Sequence, residues 1–298
     1  MISFSILSAE NQTTSLSQWT PLLGELSRAT GVEVHPFFAG NYTALIEAMR
    51  AGQTQVGWFS ALPALQAVNR ANGAVIGRFP DANAAEGYRS VLIVHSGSPI
   101  TLSQVLACGR RHSFGIGDAQ STSGTLAPMT YLFAPHSIVP TECFSVVRSA
   151  SHEANLFAVA NGVIDIATSN SIEIWRAQRE NPAIGRNVQV IWQSPPLPSS
   201  SIVVRRDLDP ALRERIRQFL LHYGTGSGAA AERQRAVLRN LSFGPFEAAD
   251  ASYLDPVRLM QAQMALEQAR HGDPANLAHA QAAFDAVRRD LAAHGPHS

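Results

Sequence analysis

The chain has 298 residues, 45 % of them hydrophobic and 15 % charged, with 23 basic and 23 acidic side chains in balance. That length exceeds most single cores, so two α/β lobes are expected, and the neutral balance excludes the electrostatic footprint of a nucleic-acid or anionic-membrane binder. Every basic residue is arginine, which excludes a catalytic lysine, a Schiff base and a phosphate-loop lysine.

"ISFSIL" opens the chain as a strand. In "LSQWTPLLGELSRATG", Leu16, Trp19, Leu22, Leu23 and Leu26 recur at helical spacing, and Gly31 closes the helix. "VEVHPFF" reads as a strand, Asn41 as the cap of helix "YTALIEAMRAG", and "QVGWFS" as a short buried strand. Helix "LPALQAVNRANG" and strand "AVIGRF" complete a βα repetition that predicts a largely parallel sheet with helices on both faces. A second block repeats the scheme with strands "SFGIG", "CFSVVRS", "DIATSN" and "VQVIWQS", and with helices beginning near Ser123, His152 and Ile172. "YRSVLIVHS" and "SIVVRRD" bracket this block and read as crossing strands, one leaving the first lobe and one returning. The expected lobes are therefore residues 1–92 with 201–298, and residues 93–200.

After Asp207 the pattern is helical: "DPALRERIRQFLLHYG", "AAAERQRAVLRNL", then an Ala/Arg-rich tail. The tail is expected to break at "HGDP", through Gly272 and Pro274, to pack on the first lobe and to fray beyond Arg289. No apolar run approaches the ~18–20 residues of a spanning helix. No basic-then-apolar leader precedes "ISFSIL", so the chain is either cytoplasmic or separated from its leader.

The chemistry concentrates in "GIGDAQSTSGTLAPMTYLF", which starts at Gly115. A strand runs into Ser121, Thr122 and Ser123 at a helix start, where free N–H groups, the helix dipole and hydroxyl donors suit an oxyanion. Gly124 lets the backbone approach closely, and Pro128 is expected at the edge of the first turn. Ligands of such sheets sit outside the carboxyl ends of the strands, which predicts a cleft between the lobes. Cys108 and Cys143 have no metal-ligand spacing and read as one structural bridge or two small buried thiols.

"STSG" with a proline four residues later, followed by "SHEANLFAVANGVIDIA", resembles the substrate-binding proteins of phosphonate and phosphite ABC importers. "WTPLLGELSRATGVEV", "NYTALIEAMRAGQTQVGWF", "GYRSVLIVHSGSPI" and "ASYLDPVR" extend the likeness to about Arg258. The resemblance implies a type II periplasmic-binding-protein fold and a periplasmic, monomeric partner of a membrane permease, with neither catalysis nor cofactor. It implies that Ser121, Thr122 and Ser123 donate to an oxyanion, that Tyr42 and Tyr88 donate phenolic hydrogen bonds and wall off the ligand, and that His152 donates through one ring nitrogen.

Relatives that bind aminoalkyl phosphonates place carboxylates around the ammonium group. Here the matching segment reads "LPSSSIVV", with Ser199, Ser200 and Ser201, and Glu173 falls one residue out of register. An uncompensated ammonium is costly to desolvate, so phosphite, methylphosphonate or phosphate is the expected ligand, with Ser200 as an added donor. Micromolar affinity needs about 8 kcal/mol, whereas each hydrogen bond to a charged group nets roughly 1.5–3 kcal/mol, so donors beyond the triplet are required.

Two rivals are weaker. An enzyme lacks support: "QSTSG" does not make a nucleophile elbow, "GIGDAQSTSG" is only a fragment of a dinucleotide fingerprint, and paired acids are missing. A sensor partnering a histidine kinase, for example for arsenite through Cys108 and Cys143, would need thiolates in the cleft, yet both cysteines precede their strands.

Overall fold

Elements alternate along the chain as β1 (Ile2–Ile6), α1 (Gln12–Thr30), β2 (Val34–Phe37), α2 (Tyr42–Arg50), β3 (Val56–Phe59), α3 (Ala61–Arg70) and β4 (Gly73–Arg78). Next come β5 (Ser90–His95), α4 (Leu102–Leu106), β6 (Ser113–Ile116), a helical stretch opening at Thr122, α5 (Pro140–Cys143), β7 (Val146–Ser149), α6 (His152–Ala160) and β8 (Ile166–Asn170). The chain continues through α7 (Ser171–Glu180), α8 (Pro182–Arg186), β9 (Val188–Gln193), β10 (Ser201–Arg205), α9 (Pro210–His222), α10 (Ala229–Asn240), α11 (Asp255–Ala269) and α12 (Pro274–His294). The structure, a computed structural model, describes residues 1–7, 9–82, 87–270 and 274–294.

Local chemistry sets these boundaries. Asn11 and Asn41 cap α1 and α2 by accepting from Thr14 N and Ala44 N, and Gly31 ends α1 in a left-handed conformation that glycine adopts without strain. Leu22, Leu23 and Leu26 of α1 are buried, as their spacing predicts, whereas Leu16 is exposed.

The elements form two compact units, Met1–Tyr88 with Pro198–Ser252, and Arg89–Leu197 with Tyr253–Ser298. The first holds a sheet of order β2-β1-β3-β10-β4 and the second a sheet of order β7-β6-β8-β5-β9. In each, four strands run one way and one runs against them: β10 pairs antiparallel with β3 and β4, and β5 pairs antiparallel with β8 and β9. The two segments expected as crossing strands are thus inner members of separate sheets. Each sheet has its own core. The first is built on Phe4, Trp19, Leu22, Ile202, Phe79 and Phe243, and the second packs Phe114, Phe133 and Phe144 on one face and Leu156 and Val159 on the other. This is the α/β architecture of type II periplasmic binding proteins.

One expectation about the tail changes. The tail belongs with the second unit, not the first, because α11 packs on the helical stretch that opens at Thr122, and Thr130 Oγ1 donates to Met260 O at 3.5 Å. Its last helix spans Pro274–His294. The break at "HGDP" is bracketed by the end of α11 at Ala269 and the start of α12 at Pro274, while Gly272 lies outside the described residues.

Cys108 and Cys143 form a disulfide ahead of β6 and β7, beside the Phe114, Phe133 and Phe144 cluster. The bridge consumes both thiols, which removes the ligands that an arsenite sensor would have used.

Candidate functional site

Strand β6 ends at Ile116, and the chain turns through Asp118 to Ser121. Ser121 sits at the N-cap with its Oγ accepting from Gly124 N at 2.9 Å. The helix it opens is wider than an ordinary α-helix. Thr122–Leu126 and Met129–Phe133 have π-helical bonding, and Ala127 N donates to Thr122 O.

Pro128 explains the widening. It lies well inside this helix, not at the edge of the first turn, and it has no N–H to give. The missing N–H leaves Gly124 O free and the π-type bonding of Ala127 leaves Ser123 O free, and both carbonyls are taken by the strands below. Ser90 Oγ of β5 donates to Ser123 O at 2.6 Å, and Thr168 Oγ1 of β8 donates to Gly124 O at 2.8 Å. Gly117 N also donates to Gly124 O, at 3.0 Å. A Cβ on Gly117 would lie 2.5 Å from Gly124 Cα, so two glycines are required where these backbones cross.

Strand β7 leads to α6, whose N-cap Ser151 places His152 in the first turn. The ring nitrogen Nε2 lies 3.3 Å from Ser121 Oγ and 3.2 Å from Ser123 Oγ. All three side chains are buried, His152 at 5 % exposure, and its Nδ1 has no hydrogen-bond partner among the described residues. Burial holds the imidazole pKa down at about 4, so the ring is neutral at pH 7. Thr122 is fully buried between the two serines. The cluster offers hydroxyls and a neutral imidazole, groups that can hold an oxyanion by hydrogen bonds without neutralising it.

Of the residues singled out in the sequence, hydrogen bonds join Ser121, Ser123 and His152. Tyr42, Tyr88 and Ser200 lie in the first unit, all buried. Tyr42 opens α2 behind its Asn41 cap, and Ser200 Oγ is buried with no partner among the described residues.

Two carboxyls have partners that the sequence did not reveal. The "LPSSSIVV" segment contains none, but Asp81, carried past the end of β4, accepts from Ser199 Oγ at 2.7 Å. Burial raises the Asp81 carboxyl to about 6, opposed by Ser199 and by the Arg78 charge. Glu173, in the first turn of α7, is buried and ion-paired with Arg176. Burial, with Glu153 and Glu180 adding to it, pushes the Glu173 pKa up, the adjacent Arg176 guanidinium favours the carboxylate, and burial lowers Arg176. The i,i+3 spacing of Glu173 and Arg176 was a signal for this pair; nothing local in the sequence links Asp81 to Ser199.

Residues 4–254 match the model of the periplasmic substrate-binding proteins of phosphonate ABC transporters. The chain belongs to that family. It is 37 % identical over 272 residues to the phosphonates-binding periplasmic protein of Escherichia coli, covering 91 % of this chain and 78 % of that one. The crystal structure of a binding-protein component of an ABC phosphonate transporter from Pseudomonas aeruginosa superposes with a TM-score of 0.93 at 32 % identity, over 98 % of each chain. Prochlorococcus marinus PhnD1, solved with methylphosphonate, shares the fold with a TM-score of 0.76 at 19 % identity, over 88 % of this chain and 97 % of that one. As a phosphonate-binding family member, the chain is the solute-binding component of an ABC importer for a phosphonate-type ligand. Its family is one of transport proteins that work in the periplasm with a membrane permease.

Proposed function

We propose that the chain captures a small phosphorus oxyanion lacking an amine (phosphite, methylphosphonate or phosphate) and releases it unreacted to its permease. The observation that carries this reading is the convergence of Ser121 Oγ and Ser123 Oγ on one nitrogen of a buried, neutral imidazole. Ser121, Thr122, Ser123 and His152 are assigned as ligand residues of the second unit, and Tyr42, Tyr88 and Ser200 as further ligand donors of the first. The two buried carboxyls support the exclusion of an amine, since Glu173 is committed to Arg176 and Asp81 to Ser199. Export behind a leader, action as a monomer and the absence of turnover belong to the same reading.

Calorimetric titration with phosphite, methylphosphonate, phosphate and aminoethylphosphonate tests it. Micromolar or tighter binding is expected for one of the first three, with Ser123→Ala weakening it roughly ten- to a hundredfold, the equivalent of one hydrogen bond to a charged ligand. Tightest binding of the amine-bearing compound would overturn the amine exclusion, and no binding of any of the four would overturn the reading itself.

A further inference from the structure

The side chain of Asn155 lies one turn along α6 from His152, is fully buried, and does not belong to the proposed ligand set. Its Nδ2 donates to Ile116 O of β6 at 3.2 Å and to Thr168 O of β8 at 3.4 Å, which ties α6 to two adjacent strands. Gly115 makes room for it: a Cβ there would lie 2.5 Å from Asn155 Oδ1 and 3.0 Å from Ala167 Cβ.

These bonds close a ring. Asn155 holds Thr168 by its carbonyl, and Thr168 Oγ1 holds Gly124 O. Gly124 N in turn donates to Ser121 Oγ, which meets His152 Nε2, and His152 returns through α6 to Asn155. We infer that Asn155 is a positioning residue for the oxyanion site, setting where the His152 imidazole stands relative to the Ser121 and Ser123 hydroxyls. Each link fixes a group that would otherwise turn freely about its side-chain bonds, and a network closed on itself holds its members in one geometry. The inference rests on the proposed oxyanion reading for its effect on binding, but not for its effect on the imidazole.

Asn155→Leu keeps the branched heavy-atom shape and removes both amide hydrogen bonds. Thr168→Val cuts the ring at a second place while nearly preserving shape. Both variants, made in the full chain, are measured by methylphosphonate calorimetry and by nitrogen-15 NMR titration of His152 in the unliganded protein. Each is expected to weaken methylphosphonate binding on the order of tenfold and to move the imidazole titration towards its ordinary range. If Asn155→Leu does not fold, Thr168→Val decides alone. Loss of thermal stability with unchanged affinity and unchanged imidazole titration would reduce Asn155 to a packing residue and overturn the inference. If the wild type fails to bind methylphosphonate, the imidazole titration still decides the positioning role, so the two readings fail separately.

Discussion

His152 shows how one buried side chain couples the site to stability. Its folded pKa of about 4 lies below the ordinary 6.5, so the unfolded chain binds the proton more readily. The neutral ring therefore contributes stability that is complete above pH 6.5 and is lost as pH falls towards 4, by at most about 3 kcal/mol. Asp81 and Glu173 act in the opposite sense. Their raised values mean that the folded state takes up protons first, which adds stability as pH falls, through about 6 for Asp81. Comparing urea unfolding of the wild type with that of His152→Asn at pH 7, 5.5 and 4.5 separates the contributions, because both carboxyls are common to the two proteins. The wild type should lose stability relative to the variant on acidification; parallel profiles would show that the imidazole is not held neutral.

At the level of elements, the helix opening at Thr122 is built around what Pro128 cannot do. An ordinary α-helix would spend the carbonyls of Ser123 and Gly124 on its own next turn, whereas here Ser90 and Thr168 take them and fasten the hydroxyl triplet to β5 and β8. The Gly117–Gly124 crossing is the tightest point of this arrangement. A Cβ on Gly124 would meet Gly117 Cα at 2.8 Å, and neither backbone has a flexible group to move aside. Gly124→Ala should cost about 1–3 kcal/mol in chemical unfolding and weaken oxyanion binding as well. Wild-type stability in that variant would mean that the strands yield more easily than their hydrogen bonds imply.

Across the whole chain, each unit carries its own sheet and its own apolar core, and the C-terminal helices serve the second unit. Val257, Met260 and Leu266 of α11 are buried, and α11 packs on the widened helix. Met260→Ala should therefore destabilise by about 2–5 kcal/mol. Amide hydrogen exchange should localise the change, with protection falling at residues 122–133 and unaltered in β1–β4. Equal loss in both units would show that they unfold as one.

Much was legible from local pattern, because a strand's alternation and a helix's spacing depend only on neighbours along the chain. The caps at Asn11 and Asn41, the closing Gly31, the βα repetition and the helix start at Ser121 all belong to this class. The antiparallel placement of β5 and β10 was not legible, since it depends on which sheet a strand joins and from which end it enters. Nor was the docking of the tail, because an Ala-rich amphipathic helix carries no address for the surface it covers. The pairing of Asp81 with Ser199 spans 118 residues, and the ring through Asn155, Thr168 and Gly124 spans three elements. The amino-acid sequence determined the donor chemistry of the proposed site; only tertiary structure decided which hydroxyls share one imidazole, because hydrogen bonding depends on distances that the chain order does not contain.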